Sequence, residues 1–433
     1  MTKHMYKNKF KFIIIKSGDI YNYLSDLKLT NYVFERRFHM IEVKDNVYWV
    51  GIKDWDLRRF HGHELSTHRG STYNSYIIKD EKTVLVDTVW GPYKEEFVEN
   101  LDREVGLKNI DYIVINHCEP DHSGSLGYLM SKIPGTPIYC SKHGEETIKR
   151  HFHGDWNLNV VKTGDKLNIG KSDLIFVEMQ MMHWPDSMLT YVTGSNVVLS
   201  NDAFGQHYSP VSLFNDQVNE CELYQEAIKY FANILTPFRP LIKKKIEEIK
   251  ALNLPIDIIA PSHGVIWRKN PLQIIEKYYE WSQPDYSEGN VVIVYDTMYD
   301  ATKKMAEAIG EGLLKNNVPY KLYNSSITDT SDLITELFKA KAIIAGSCTV
   351  NNGPLSSISL IMEELKAHKI KGKPAAGFGS YGWSGEGAKH ISETLAKNGF
   401  NVVNDPIQFK YQPTTDELNL CVEFGEKFAK SLL

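Results

Sequence analysis

The sequence predicts a chain of mixed α/β and α+β class in two parts: stacked sheets covered by helices over residues 40–284, then a doubly wound parallel sheet over 290–433. Three observations carry this. From Met40 to about Tyr279, short β-branched runs alternate with polar loops and helical stretches. The segment Trp281-Ser282-Gln283-Pro284-Asp285-Tyr286-Ser287-Glu288-Gly289-Asn290 is polar and turn-rich, as a linker is. Beyond it the pattern becomes strictly βαβ, the signature of a parallel sheet.

Residues 1–39 precede the first strand pattern, at Met40-Ile41-Glu42, and read as an extension. Lys3, Lys7, Lys9 and Lys11 lie ahead of Phe12-Ile13-Ile14-Ile15, but that apolar run is too short for a signal peptide and no small-residue cleavage site follows. In the first part, strands are expected at 47–50, 75–78, 83–87, 111–115, 174–177, 189–192, 196–200 and 256–260, with helices at 93–105 and 220–234. In the second, strands at 291–295, 320–323, 342–346, 375–379 and 401–403 alternate with helices at 301–314, 331–340, 356–368 and 385–398. An amphipathic helix spans 414–433.

Composition narrows the function. With 42% apolar and 24% charged residues the chain is an ordinary globular one, and its net charge of −5 argues against nucleic acid as a partner. No apolar run approaches the roughly 18 residues of a membrane span. The five cysteines are scattered and form no C-x-x-C pair, which fits a reducing cytoplasm and excludes a rubredoxin-type iron site within the chain.

The chemistry concentrates in Asn116-His117-Cys118-Glu119-Pro120-Asp121-His122, which follows the strand at 111–115. His117, Glu119, Asp121 and His122 are joined by His183, Asp202 and His263, each just past another strand-like run. Loops at one edge of packed sheets converge from distant positions, so four imidazoles and three carboxylates can meet there around two metals. In the second part, Asp296-Thr297-Met298-Tyr299-Asp300-Ala301-Thr302 lies between the first strand and its helix, where backbone N–H groups and the Thr297 and Thr302 hydroxyls can hold a phosphate. Two more strand-end loops add Ser347, Thr349, Val350, Asn351, Asn352 and Gly353, and Ser380, Tyr381, Gly382, Trp383 and Gly385. Small residues admit a flat ring, Tyr381 or Trp383 can stack on it, and the absence of G-x-G-x-x-G from the first strand–helix loop, 296–302, favours FMN over a dinucleotide.

The first part resembles the metallo-β-lactamase superfamily, an αββα sandwich whose usual motif is H-x-H-x-D-H; here Glu119 stands in the middle position. That resemblance implies His117, Glu119 and His183 on one metal, Asp121, His122 and His263 on the other, and Asp202 between them. The added oxygen donor suits iron or manganese better than an all-histidine set. The second part looks like flavodoxin. The combination resembles the flavodiiron proteins (A-type flavoproteins), and His183-Trp184-Pro185-Asp186-Ser187, Asn201–His207 and Ser262-His263-Gly264 match that family in order. The resemblance implies FMN and a diiron centre, a head-to-tail homodimer or tetramer, a separate donor such as rubredoxin or a flavin reductase, and His61 and Tyr208 near the substrate.

Family members reduce O2 to water, NO to N2O, or both. We expect O2 as the substrate, with NO the alternative, because the chain lacks the appended modules of some dedicated NO reductases. The competing readings are a zinc hydrolase on the same scaffold, opposed by Glu119 and the flavodoxin part, and an electron carrier with a vestigial metal site, opposed by the full ligand set.

Overall fold

The computed structural model of the protein describes residues 40–62 and 64–432, so the extension read at 1–39 lies outside them. Met40–Leu433 forms one compact unit.

Its N-terminal domain is built on two sheets. The first orders Ile41–Lys44, Val47–Trp49, Tyr76–Lys79, Thr83–Val86, Tyr112–Ile115, Ile138–Cys140 and Leu158–Val160. The second orders Lys166–Asn168, Asp173–Glu178, Met188–Val192, Val197–Asn201 and Ile258–Pro261. Tyr139 of the first stacks on Phe176 of the second at 6.3 Å. Met188–Val192 and Val197–Asn201 are buried at every position, which explains why they read as continuous apolar runs rather than alternating ones. The strands at 138–140, 158–160 and 166–168, three residues each, are too short to show a period in the sequence. The helix expected at 220–234 is α-helical only over Glu220–Tyr230 and widens into a π turn over Phe231–Leu235.

The C-terminal domain is the expected parallel sheet, ordered Tyr320–Asn324, Val291–Asp296, Ala342–Cys348 and Pro374–Tyr381. Its fifth position corrects the sequence reading. Asn401–Val402 pairs with Pro374 and Ala375, and a separate piece, Ile407–Lys410, pairs with Phe378 to Tyr381. Pro406 between them has no N–H for a ladder bond, so the strand breaks and resumes. The last helix, Thr415–Lys430, starts at a capping box of Thr414 and Glu417. It packs on Ala301–Lys315 at backbone distance: a Cβ on Gly312 would lie 2.1 Å from the Val422 carbonyl oxygen.

The segment between the domains is packed rather than loose. Tyr286 lies 5.3 Å from Phe338 by ring centroids, and the Glu288 N–H donates to the Lys339 carbonyl at 2.8 Å. Phe338 also meets Phe231 of the N-terminal domain at 5.8 Å, so one apolar core runs through both domains. Among the described residues, no helix is long and apolar enough to cross a membrane.

Phe338→Ala should therefore cost about 3–5 kcal/mol. Urea unfolding followed by tryptophan fluorescence and by flavin release should show both transitions shifting together; a shift in the flavin signal alone would mean the domains unfold independently.

Candidate metal centre and flavin cleft

Each candidate ligand stands where a strand ends. His117 follows Tyr112–Ile115, and Glu119 precedes the short helix Pro120–Ser123 that carries Asp121 and His122. His183 follows Asp173–Glu178, Asp202 follows Val197–Asn201, and His263 follows Ile258–Pro261. Buried Asp87 ties two of these loops together, accepting the Asn116 N–H at 2.7 Å and the Asn201 side-chain amide at 3.1 Å. Asn74 ties a third, its amide donating to the Pro261 and Gly264 carbonyls at 2.8 and 3.0 Å. Gly264 sits at φ +78°, and a Cβ there would strike the Gln206 side chain at 1.6 Å.

The loops gather the side chains into two groups: His117, Glu119, His183 and Asp202, and Asp121, His122 and His263. The Asp202 carboxylate faces both. Its Oδ2 lies 3.5 and 3.3 Å from Nε2 of His117 and His183, and its Oδ1 lies 2.9 and 3.6 Å from Nε2 of His122 and His263. Both oxygens of Asp121 and of Asp202, and both ring nitrogens of His122, are buried without a hydrogen bond among the described residues. Atoms this close yet unaligned with one another surround a common point, as metal donors do.

Electrostatics agrees. Burial alone would lower the His122 pKa, but the carboxylates of Asp121 and Asp202 push it up to about 9. Burial would raise the Asp202 pKa, but His122, His183 and His117 hold it well below the usual range. The cluster demands positive charge in a buried place, and two cations would supply it. The donor set therefore fits a diiron pair.

The rings are held from behind. His117 Nδ1 meets both Asp186 oxygens at 3.1 Å, and Asp186 also accepts the Cys118 N–H at 2.7 Å. His263 Nδ1 donates to the Thr72 carbonyl at 2.6 Å. Both contacts place the proton on Nδ1 and leave Nε2 free to ligate. The motif His183-Trp184-Pro185-Asp186-Ser187 contains Asp186, but this role does not show in the sequence.

The two pocket residues fare differently. His61 reaches the site, its Nε2 3.0 Å from Glu119 Oε1. Tyr208 is placed elsewhere: its hydroxyl donates to Glu222 at 3.0 Å, and its charged surroundings are Glu222, Arg69 and Glu226. Of the tyrosines beside the cluster, Tyr73 at 6.0 Å and Tyr230 at 6.4 Å from His263 by ring centroids, the sequence reading missed Tyr230. Burial first, then the negative charges of Asp202, Glu119 and Asp121, keep its phenol protonated. Between Tyr230 and His263 lies His207, 5.2 and 4.8 Å from them by ring centroids, its Nδ1 bonded to the Ser71 hydroxyl at 2.8 Å. Phe60 closes this wall, 4.7 Å from His207 and 5.8 Å from His263.

A cleft of about 520 Å³ opens at the carboxyl ends of the parallel sheet. Of the expected contacts, Thr297, Met298, Tyr299, Ala301, Thr349, Val350, Asn351, Ser380, Tyr381, Gly382 and Trp383 line it; Cys348, Tyr411 and Gln412 line it as well and were missed. Asp300, Thr302, Ser347, Asn352, Gly353 and Gly385 do not line it. Thr302 bonds the Ser380 hydroxyl at 2.9 Å, Ser347 accepts the Leu355 N–H at 2.8 Å, and Asn352 turns the loop at φ +62°. Thr297 Oγ1 is buried with no hydrogen-bond partner among the described residues, next to the start of the helix Ala301–Lys315. An orphaned hydroxyl at a helix N-terminus fits a phosphate, and the exposed Tyr299 and Trp383 rings fit a flat cofactor.

Residues 71–264 match the ODP family beta lactamase and residues 293–425 match flavodoxin. The anaerobic nitric oxide reductase flavorubredoxin of Escherichia coli K12 is 48% identical over 394 residues, covering 90% of this chain and 82% of that protein. Among solved structures, rubredoxin oxygen:oxidoreductase from the anaerobe Desulfovibrio gigas superposes with a TM-score of 0.87 at 35% identity, covering 91% of this chain and 98% of that one. The flavodiiron protein of Giardia intestinalis gives the same TM-score at 32% identity, covering 91% and 97%. The chain belongs to the flavodiiron proteins, oxidoreductases that work with FMN and a diiron centre.

Proposed function

We propose that this protein reduces nitric oxide to nitrous oxide: 2 NO + 2 e⁻ + 2 H⁺ give N2O and water. His117, Glu119 and His183 would hold one iron and Asp121, His122 and His263 the other, with the Asp202 carboxylate facing both groups. The observation that carries this reading is the pair of ligand groups sharing Asp202, in a chain 48% identical to relatives named as nitric oxide reductases. Those relatives weigh against the O2 preference drawn from the sequence. O2 reduction stands as the second reading, favoured by the likeness to a structure named as a rubredoxin oxygen:oxidoreductase.

Iron supplies binding and redox chemistry for the gas, and FMN supplies electrons in pairs. The chain's own residues do the rest. Phe60, Trp184 and Tyr230 wall the cluster with aromatic surface, Trp184 standing 5.1 Å from His117 by ring centroids. His61, a third exposed, is placed to pass protons from solvent toward the pocket beside Glu119. Tyr230 keeps its hydroxyl proton available to a developing anion.

The cleft of the C-terminal domain would hold FMN, with Thr297 Oγ1 available to its phosphate. Every lining residue of that cleft belongs to the same domain, and Met298, Tyr299, Trp383 and Tyr411 are exposed around it. This supports the head-to-tail dimer, alone or paired into a tetramer, in which a second copy brings its metal centre to the flavin. An external cytoplasmic donor of the rubredoxin or flavin-reductase kind delivers the electrons. The boundary between the domains falls in 284–290.

Purified from iron-replete cells, the protein should contain two irons and one FMN per chain. Fed by a reduced rubredoxin, it should turn over NO faster than O2 and release N2O, read by gas chromatography. Faster O2 consumption with little N2O would transfer the assignment to the second reading, and stoichiometric zinc with retained activity would overturn both.

Asp202→Ala should lose both irons while FMN stays bound. Retention of two irons would show that Asp202 is not the bridge.

Tyr230→Phe should keep full iron and lower turnover by roughly 10- to 100-fold, the value of about 1.5–3 kcal/mol for a hydrogen bond to a charged partner. Tyr208→Phe should change turnover little. The reverse order of effects would return the pocket role to Tyr208.

A further inference from the structure

Phe60 and His61 are held in place by a hairpin that cannot hold itself. Its strands, Arg59–Phe60 and Leu65–Ser66, pair at two positions only, Arg59 with Ser66 and Phe60 with Leu65. So short a hairpin is not stable alone in water. Yet it touches both proposed metal-binding groups, through His61 on Glu119 and Phe60 against His263.

Its support comes from the flavodoxin domain. The Ser66 N–H donates to the Ser331 hydroxyl at 3.1 Å, and the two hydroxyls meet at 2.9 Å. Arg59 pairs with Asp329, and His68 Nε2 lies 2.8 Å from Asp332. Buried Lys229, one residue before Tyr230, donates to the Ser66 hydroxyl at 2.6 Å and pairs with Asp332. Asn233 adds bonds to the Ser331 carbonyl and the Thr335 hydroxyl at 3.1 and 3.0 Å. The flavodoxin-domain partners Ser331, Asp332 and Thr335 sit in the first turns of one helix, Thr330–Lys339, with Asp329 at its N-cap, while Lys229 and Asn233 reach them from the N-terminal domain. A cleft of about 570 Å³ runs along this contact, with His61, Leu65, Asn233, Ser331, Glu364 and His368 in its lining.

We propose that Ser331 and Asp332 are positioning residues for the iron pocket: from the flavodoxin domain they fix the hairpin that sets Phe60 and His61 against the ligands of the same chain. The inference rests on the ligand assignment above. It gives the flavodoxin domain a second task, separate from carrying flavin, because Ser331 and Asp332 take no part in lining the flavin cleft. Plain domain cement would stabilise the chain equally well but would leave the iron pocket unchanged when loosened.

The test uses the full chain with Ser331→Ala and, separately, Asp332→Asn, the first losing the hydroxyl bonds without exposing a charge and the second keeping the side-chain shape. Iron and FMN content should stay at the wild-type level. In metal-free protein, amide hydrogen exchange over 59–66 should speed up. In loaded protein, kcat/KM for NO should fall roughly 3- to 10-fold, and that fall should vanish in a His61→Leu background, because the residues act through His61. Unchanged exchange over 59–66, or effects that simply multiply with His61→Leu, would overturn the inference. A wild-type chain without two irons would instead overturn the ligand assignment, so the two failures are distinguishable.

Discussion

Three carboxylates and four imidazoles share one buried pocket, and the rest of the molecule is arranged around that crowding. Buried anions of this kind are tolerated only when positive charge and directed contacts offset the loss of hydration. Asp202 concentrates the problem. Its side chain is 1% exposed, and its oxygens face different histidine pairs without hydrogen-bonding to either. Imidazolium protons could balance some of this charge, but they would be left pointing at one another. Two cations, each facing one group, resolve both the charge and the geometry.

Such a pocket must be rigid before anything binds, and the support lies one layer out. Asp87 fastens the loop before His117 to the loop before Asp202, and Asn74 fastens the loop around His263. Asp186 and the Thr72 carbonyl then orient the rings on those loops. Each tie uses a polar side chain that is itself buried and satisfied, so moving one loop breaks bonds in another. The strands beneath are mainly apolar, Ser200 and Asn201 at the end of Val197–Asn201 apart, and every candidate ligand stands beyond their ends.

What the sequence made legible follows from what is local. His117 to His122 is one continuous motif, and the other candidate ligands each sit just past a recognisable strand, so the residues that gather into the two groups could be named without coordinates. The supports could not, because Asp87, Thr72 and Asp186 matter only through contacts made across the fold. The direction of the Tyr208 side chain was hidden for a related reason. It follows an irregular turn, where no period fixes side-chain direction, and it points to Glu222. Tyr230 sits at the end of a helix, and its approach to the cluster depends on how that helix packs. The flavin loops show the same limit: Tyr411 and Gln412 join the cleft from beyond the broken fifth strand, which the sequence pattern presented as whole.

The two domains meet through surfaces that leave the flavin free. Contact with the metal domain runs through the helix Thr330–Lys339 and the end of Ser356–Ala367, where His368 Nε2 lies 3.0 Å from the Asn233 carbonyl. The flavin cleft uses the loops after the strands instead, and no residue serves both. The covalent partner of a metal domain is thus its scaffold, while the proposed electrical partner is the flavodoxin domain of another copy. This separation has a physical consequence. The intrachain contact is buried and charge-paired, whereas the flavin edge keeps exposed aromatic surface, which suits the proposed docking of a second copy and an external donor.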